Sequence, residues 1–178
     1  MAKATGIVRR IDDLGRVVIP KELRRTLKIR NGDPLEIYVD RAGQIMLKKY
    51  SPINELGQFA QEYAESLNEA LGHAAIITDK DSVVALAGKN IKELLNQTIG
   101  PTVEQVMENK KVEIYAAPIL ITEDQKSSFE SAVMAPIISE GTSIGTVIIA
   151  SKEKVQMSNM EAKLAETAAG FLARQMEQ

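Results

Sequence analysis

Apolar and polar positions alternate from the start of the chain. In T-G-I-V-R-R-I, Thr5, Ile7, Arg9 and Ile11 fall on one side of a strand and Gly6, Val8 and Arg10 on the other. Asp12-Asp13-Leu14-Gly15 supplies turn residues, and Arg16-Val17-Val18-Ile19 predicts a second strand. Pro20 ends it and suits the first turn of a helix through Lys21 to Leu27. On that helix Leu23 and Leu27 are expected to be buried and Arg24 and Arg25 to face solvent. Past the turn Asn31-Gly32-Asp33-Pro34, Leu35, Ile37 and Val39 alternate with Glu36 and Tyr38. Beyond Asp40-Arg41-Ala42-Gly43 the alternation resumes in Ile45 and Leu47. Residues 1–50 therefore predict a β-β-α-β-β module. A module of that size buries too little surface to stand alone without disulfides, metal or a second subunit.

From Ser51-Pro52, read as an N-cap and first-turn pair, the period changes. Ile53, Leu56, Ala60, Tyr63, Leu67 and Ala70 recur at spacings of three and four, Phe59 and Leu71 widen the stripe, and Gly72 ends it. This predicts a linker helix over 51–72, packing on the remainder of its own chain or against its counterpart in a second copy. HAAIITD at 73–79 and SVVALA at 82–87 read as strands around Lys80-Asp81. Short helices are expected at 90–97 and 102–109, a strand within EIYAAPI at 113–119, and a polar loop at 122–128. SAVMAPIIS at 131–139 and SIGTVIIAS at 143–151 are apolar strands joined by Glu140-Gly141-Thr142. Ser158 and Glu161 form a capping box opening a last helix, with Met160, Leu164, Ala168, Phe171 and Leu172 on its expected buried face. Residues 73–178 thus predict an α+β domain, with the 51–72 helix packed on it.

Charge divides at the same place. The whole chain carries a net −2, which argues against a nucleic-acid partner. Residues 1–50, however, hold 12 basic and 6 acidic side chains, and residues 51–178 hold 10 and 18. Seven of the eight arginines, Arg9, Arg10, Arg16, Arg24, Arg25, Arg30 and Arg41, lie in the first part. Such sign asymmetry points to an anionic partner for the basic half. Arginine's planar fork of donors matches phosphate oxygens and the guanine edge.

These residues carry a resemblance. TGIVRRIDDLGRVVIPKELRRTLKIRNGDPLEIYVDRAGQIMLKKY resembles the AbrB-type module, with LGRVVIPKELRR as its most specific part. The resemblance implies that two chains interleave their hairpins into one swapped-hairpin β-barrel, a homodimer through residues 1–50. It further implies sequence-specific binding of double-stranded DNA by Arg9, Arg10, Arg16, Arg24 and Arg25. Antitoxins share this fold, so protein binding is the alternative role. They carry disordered toxin-binding tails, whereas here an apolar, folding-competent region follows.

AVMAPIISEGTSIGTVIIASKE with the following helix resembles a GAF domain, while 88–128 agrees only in outline. That implies a GAF-like α/β sensor with a small-molecule effector of unknown identity. A pocket would be walled by Ile76, Ile77, Val133 and Met134 and by the loops 88–96 and 121–128. Together, the two modules resemble transcriptional regulators of forespore genes in sporulation. This implies a homotetramer joined through the linker helix and GAF-like domain, working on the nucleoid in the cytoplasm.

Other chemistry is not indicated. With no cysteine there is no catalytic thiol, thiolate metal site or thioether-linked chromophore. His73 is the one histidine and is read as structural. Ser151-x-x-Lys154 lacks companion motifs, and 141–145 lacks the Lys-Ser/Thr of a phosphate-binding loop. Asp79 and Asp81, and Glu123 and Asp124, are read as solvated turn residues. No enzyme, metal or cofactor is predicted. No apolar run approaches the roughly 20 residues of a spanning helix, and the N-terminus does not read as a signal peptide.

Overall fold

The structure, a computed structural model, describes residues 6–124 and 128–176. The chain separates into two compact units between Tyr50 and Ser51.

In the first unit, α1 spans Lys21–Thr26 after Pro20, which stands at the N-cap. Strands β1 (Leu35–Val39) and β2 (Ile45–Lys49) form an antiparallel hairpin with Ile37 opposite Leu47 and Val39 opposite Ile45. Its turn is set by Asp40, whose Oδ1 accepts from the amides of Ala42 and Gln44 at 2.9 and 2.8 Å. These elements are the expected ones. The two strands expected before α1 are not formed: residues 6–11 and 16–19 carry no ladder. Thr5 lies outside the described residues. The arms meet only at their turn, where Gly15 N–H donates to Asp12 O at 2.9 Å and Asp12 N–H to Arg16 O at 3.1 Å. A strand needs a neighbour for its backbone groups, and among the described residues of one chain these arms have no ladder partner.

The expected burial of Leu23 and Leu27 is also overturned. They are 40% and 57% exposed, and Ile37, Val39 and Ile45 are near 70%. Pro20 is the unit's buried residue among those described. The apolar periodicity correctly marks one face of each element, but a single copy leaves that face open.

In the second unit, five strands run in the order β4-β3-β9-β8-β5, antiparallel throughout. They are β3 (Ala74–Thr78), β4 (Val83–Ala87), β5 (Glu113–Tyr115), β8 (Ser131–Ser139) and β9 (Thr142–Ser151). A small separate pair joins β6 (Ile119–Leu120) to β7 (Ser128–Phe129). One face of the sheet packs on α3 (Gly57–Leu71) and α5 (Asn159–Gln175), burying Ile77, Val133, Val147 and Ile149 against Ala64, Leu67, Ala168 and Leu172. The other face packs under α4 (Pro101–Asn109) and the 88–124 excursion, burying Ile76, Met134 and Ile148 with Leu94, Val106 and Phe129. This three-layer arrangement is the expected GAF-like α/β fold. Gly145 marks a close approach: a Cβ there would overlap the Thr78 carbonyl oxygen on β3.

Several local expectations are corrected. The linker helix breaks into α2 (Pro52–Glu55) and α3, because Leu56 turns out of helical geometry ahead of Gly57 and becomes the N-cap of α3. Ser51 does not cap. Its hydroxyl donates to Asp79 Oδ2 at 2.7 Å. Asp79 is thus buried, and its Oδ1 accepts from the amides of Asp81 and Ser82. The 90–97 helix shrinks to a single 3₁₀ turn, Lys92–Leu94. Met160 and Phe171 are exposed at 58% and 38%, while Ala165, Ala168, Ala169 and Ala173 are buried with Leu172. Small side chains let α5 lie close to the sheet, so its buried face sits beside the one marked by its largest apolar residues.

Candidate nucleic-acid interface

The basic residues of the first unit sit on two scaffolds. Arg9, Arg10 and Arg16 belong to the hairpin arms, and Arg24 and Arg25 to α1. Asp12 organises the hairpin tip: Oδ1 accepts from Leu14 N at 3.0 Å and Arg16 N at 2.8 Å, and Oδ2 accepts from Arg16 Nε at 2.8 Å. The Arg16 amide and guanidinium hold the Asp12 carboxyl below its usual range. Gly15, at φ 74°, allows the tight return that makes this contact. Arg16 keeps its outer guanidinium nitrogens for a ligand, and its side chain is 70% exposed. An exposed ion pair contributes little to stability, so this one serves chiefly to aim the side chain.

Arg9, Arg10 and Arg25 are exposed and make no ion pair among the described residues. Arg24 differs from expectation. It is half-buried, and its Nη1 donates to Asn31 Oδ1 at 2.9 Å, tying α1 to the following turn. The structure therefore adds two positioning residues, Asp12 and Asn31. The i,i+4 spacing of Asp12 and Arg16 across a turn was a readable signal for the first. The seven-residue reach from Arg24 to Asn31 had none.

In the second unit, the residues proposed as one pocket wall do not share a face. Ile76 and Met134 point toward α4, and Ile77 and Val133 toward α3 and α5. Successive strand residues alternate sides, so adjacent positions cannot line one cavity. Part of the loop 121–128 falls outside the described residues. Among the described residues no group of three or more His, Asp or Glu could hold a metal, and no helix is long and apolar enough to cross a membrane.

Comparison with known proteins follows the same division. Residues 8–55 match the family described as antidote-toxin recognition MazE, bacterial antitoxin. Transition state regulatory protein AbrB of Bacillus subtilis (strain 168) is 47% identical over 95 residues, covering 53% of this chain and 92% of that protein. The second unit resembles the GAF domain of an Acinetobacter phosphoenolpyruvate-protein phosphotransferase at TM-score 0.58 and 13% identity, over 73% of this chain and 84% of the other, a likeness of fold. Residues 55–177 match the family described as stage V sporulation protein T C-terminal, transcription factor. Stage V sporulation protein T of Bacillus subtilis (strain 168) is 53% identical over 178 residues and 99% of each chain. With basic module and GAF-like domain in the same order along the whole length, this chain belongs to the stage V sporulation protein T family of transcription factors.

Proposed function

We propose that the chain regulates transcription of sporulation genes in the forespore by binding specific double-stranded DNA as a homodimer through residues 1–50. The observation that carries this is the open apolar face of the first unit. Ile37, Val39, Ile45 and Leu47 form one side of the β1–β2 hairpin, and Leu23, Leu27, Val17 and Val18 are exposed on the preceding segments. Water is an unfavourable neighbour for so much apolar surface on so small a unit. A second copy would cover that surface and supply ladder partners for residues 6–11 and 16–19. Pairing also doubles the +6 of each module, so a dimer presents about +12 to DNA. Arg9, Arg10, Arg16 and Arg25 would meet phosphates and base edges, with Arg24 bracing the helix that carries Arg25.

The second unit fits a sensing and assembly role in the cytoplasm, without catalysis. Phe59, Phe171 and Met160 expose apolar surface on α3 and α5, and the Tyr63 and Phe171 rings stack at 5.2 Å. This surface would join two dimers into a tetramer, and the domain would relay a small-molecule signal. The MazE-type match covers only the part that regulators and antitoxins share, so it does not favour toxin capture. Sedimentation with and without duplex DNA tests the reading. Even-numbered assemblies that bind DNA are expected, whereas a folded monomer would refute the paired module.

A further inference from the structure

We propose that the groove between α5 and the β5 edge of the sheet is a binding site for a small anionic ligand with an apolar body. The proposal rests on reading the second unit as a sensor. It names the place and the chemistry of the signal.

The groove has a volume of about 810 Å³. Its floor is apolar, formed by Val112 and Ile114 before and within β5, Ala135 and Ile138 on β8, and Ala169 on α5. Three cations stand around it, Lys110, Lys111 and Lys163. They are three of the ten basic residues in a segment that carries eighteen acidic ones, so this is a positive recess on an otherwise acidic domain. Glu166 is the one carboxylate in the lining.

The donors are available. Lys111 makes no ion pair or hydrogen bond among the described residues. Lys110 is held over the recess by one bond, Nζ to the Gly141 carbonyl at 2.6 Å, which leaves two of its N–H groups free. Lys163 pairs with Glu166 at 2.7 Å, but both side chains are more than half exposed, so an anion can exchange into that weak pair. The apolar floor adds the burial term that an inorganic ion could not use. An aryl or short acyl chain ending in a carboxylate, sulfonate or phosphate fits both features.

The recess exists partly because Gly170 has no side chain: a Cβ there would meet nothing within 4 Å. Asn159, Lys163, Glu166 and Gly170 fall on the groove side of α5, away from the Phe171 ring that stacks on α3. Assembly through the α3–α5 surface would therefore leave the groove open.

The full-length protein is titrated with 8-anilinonaphthalene-1-sulfonate, an anionic aryl probe, by fluorescence. N-phenyl-1-naphthylamine serves as its neutral counterpart. Gly170→Phe fills the recess from a helix position with open space. Lys110→Asn with Lys111→Gln removes two cations while keeping a residue that tolerates the positive φ of position 110. Each change is expected to weaken the anionic probe at least tenfold, with thermal unfolding unchanged, and the neutral probe is expected to bind at least tenfold more weakly than the anionic one. Equal anionic-probe affinity in the parent and both variants, or equal affinity for both probes, would overturn the site. Duplex affinity is then measured with the probe saturating. An unchanged value would reject the sensor reading and leave the site standing.

Discussion

Gln61 on α3 grips the backbone of Leu86 on β4 with both ends of its amide. Nε2 donates to the Leu86 carbonyl at 3.0 Å, and the Leu86 N–H donates to Oε1 at 3.2 Å. Because β4 is an outer strand of the sheet, these are backbone groups that a further strand would otherwise take. A glutamine side chain thus closes the edge and fixes the helix that follows the basic unit onto the sheet.

Replacing Gln61 by Ala should lower the stability of the second unit by about 1–3 kcal/mol, two net hydrogen bonds with part of their desolvation cost. Gln61→Glu should be no better at neutral pH, since a carboxylate can accept from the Leu86 amide but faces its carbonyl with like polarity. Calorimetry checks both. Faster amide exchange at Leu86 would locate the effect.

The capping box at α5 gives a signed pH dependence. Glu161 Oε2 accepts from the Ser158 hydroxyl at 2.5 Å and the Ser158 amide at 2.7 Å, and the hydroxyl in turn accepts from Met160 N–H at 3.1 Å. The Ser158 hydroxyl, foremost, holds the Glu161 carboxyl below its ordinary value of 4.5. A depressed folded-state value makes the stabilisation complete above about pH 4.5 and removes it as the pH falls through the lower folded value. Ser158→Ala should cost about 1 kcal/mol at pH 7 and flatten the acid limb of stability. An unchanged acid limb in the variant would reject the assignment.

Arg24 and Arg25, neighbours on α1, should behave differently. Arg25→Ala should weaken duplex binding while leaving the thermal unfolding of the first unit unchanged, since its side chain is exposed and makes no hydrogen bond or ion pair among the described residues. Arg24→Ala should weaken both, because the bond to Asn31 is lost. Anisotropy titration with melting of the same samples separates the two, and Asn31→Ala should reproduce the stability loss of Arg24→Ala.

That contrast shows what sequence can carry. The turns at Gly15, Gly32 and Gly43, the β1–β2 hairpin, α4, α5 with its Ser158–Glu161 cap, and the long β8–β9 pair were all legible, because each is written in local turn chemistry or periodicity. The arms before α1 were legible as strands but form no ladder, because their backbone partners are not in one chain. Met160 and Phe171 were placed inside by their hydrophobicity, whereas the sheet accepts the alanines of α5 because close approach favours small side chains. Asp79 reads as a solvated turn residue, whereas it is buried and accepts from the hydroxyl of Ser51, 28 residues away. Arg24, read as facing solvent, is half-buried and bonded to Asn31. Side chains that reach across the fold leave no local trace.

The most direct test of the account is the salt dependence of duplex affinity for the full-length protein and its Arg25→Ala variant. Each neutralised phosphate subtracts about 0.9 from the slope of log K against log salt. A slope of about −5 or steeper is expected, as six phosphate contacts would give, made shallower by about 2 in the variant because each copy of a dimer loses one contact. A slope near zero, or one that Arg25→Ala leaves unchanged, would contradict a paired arginine surface on DNA.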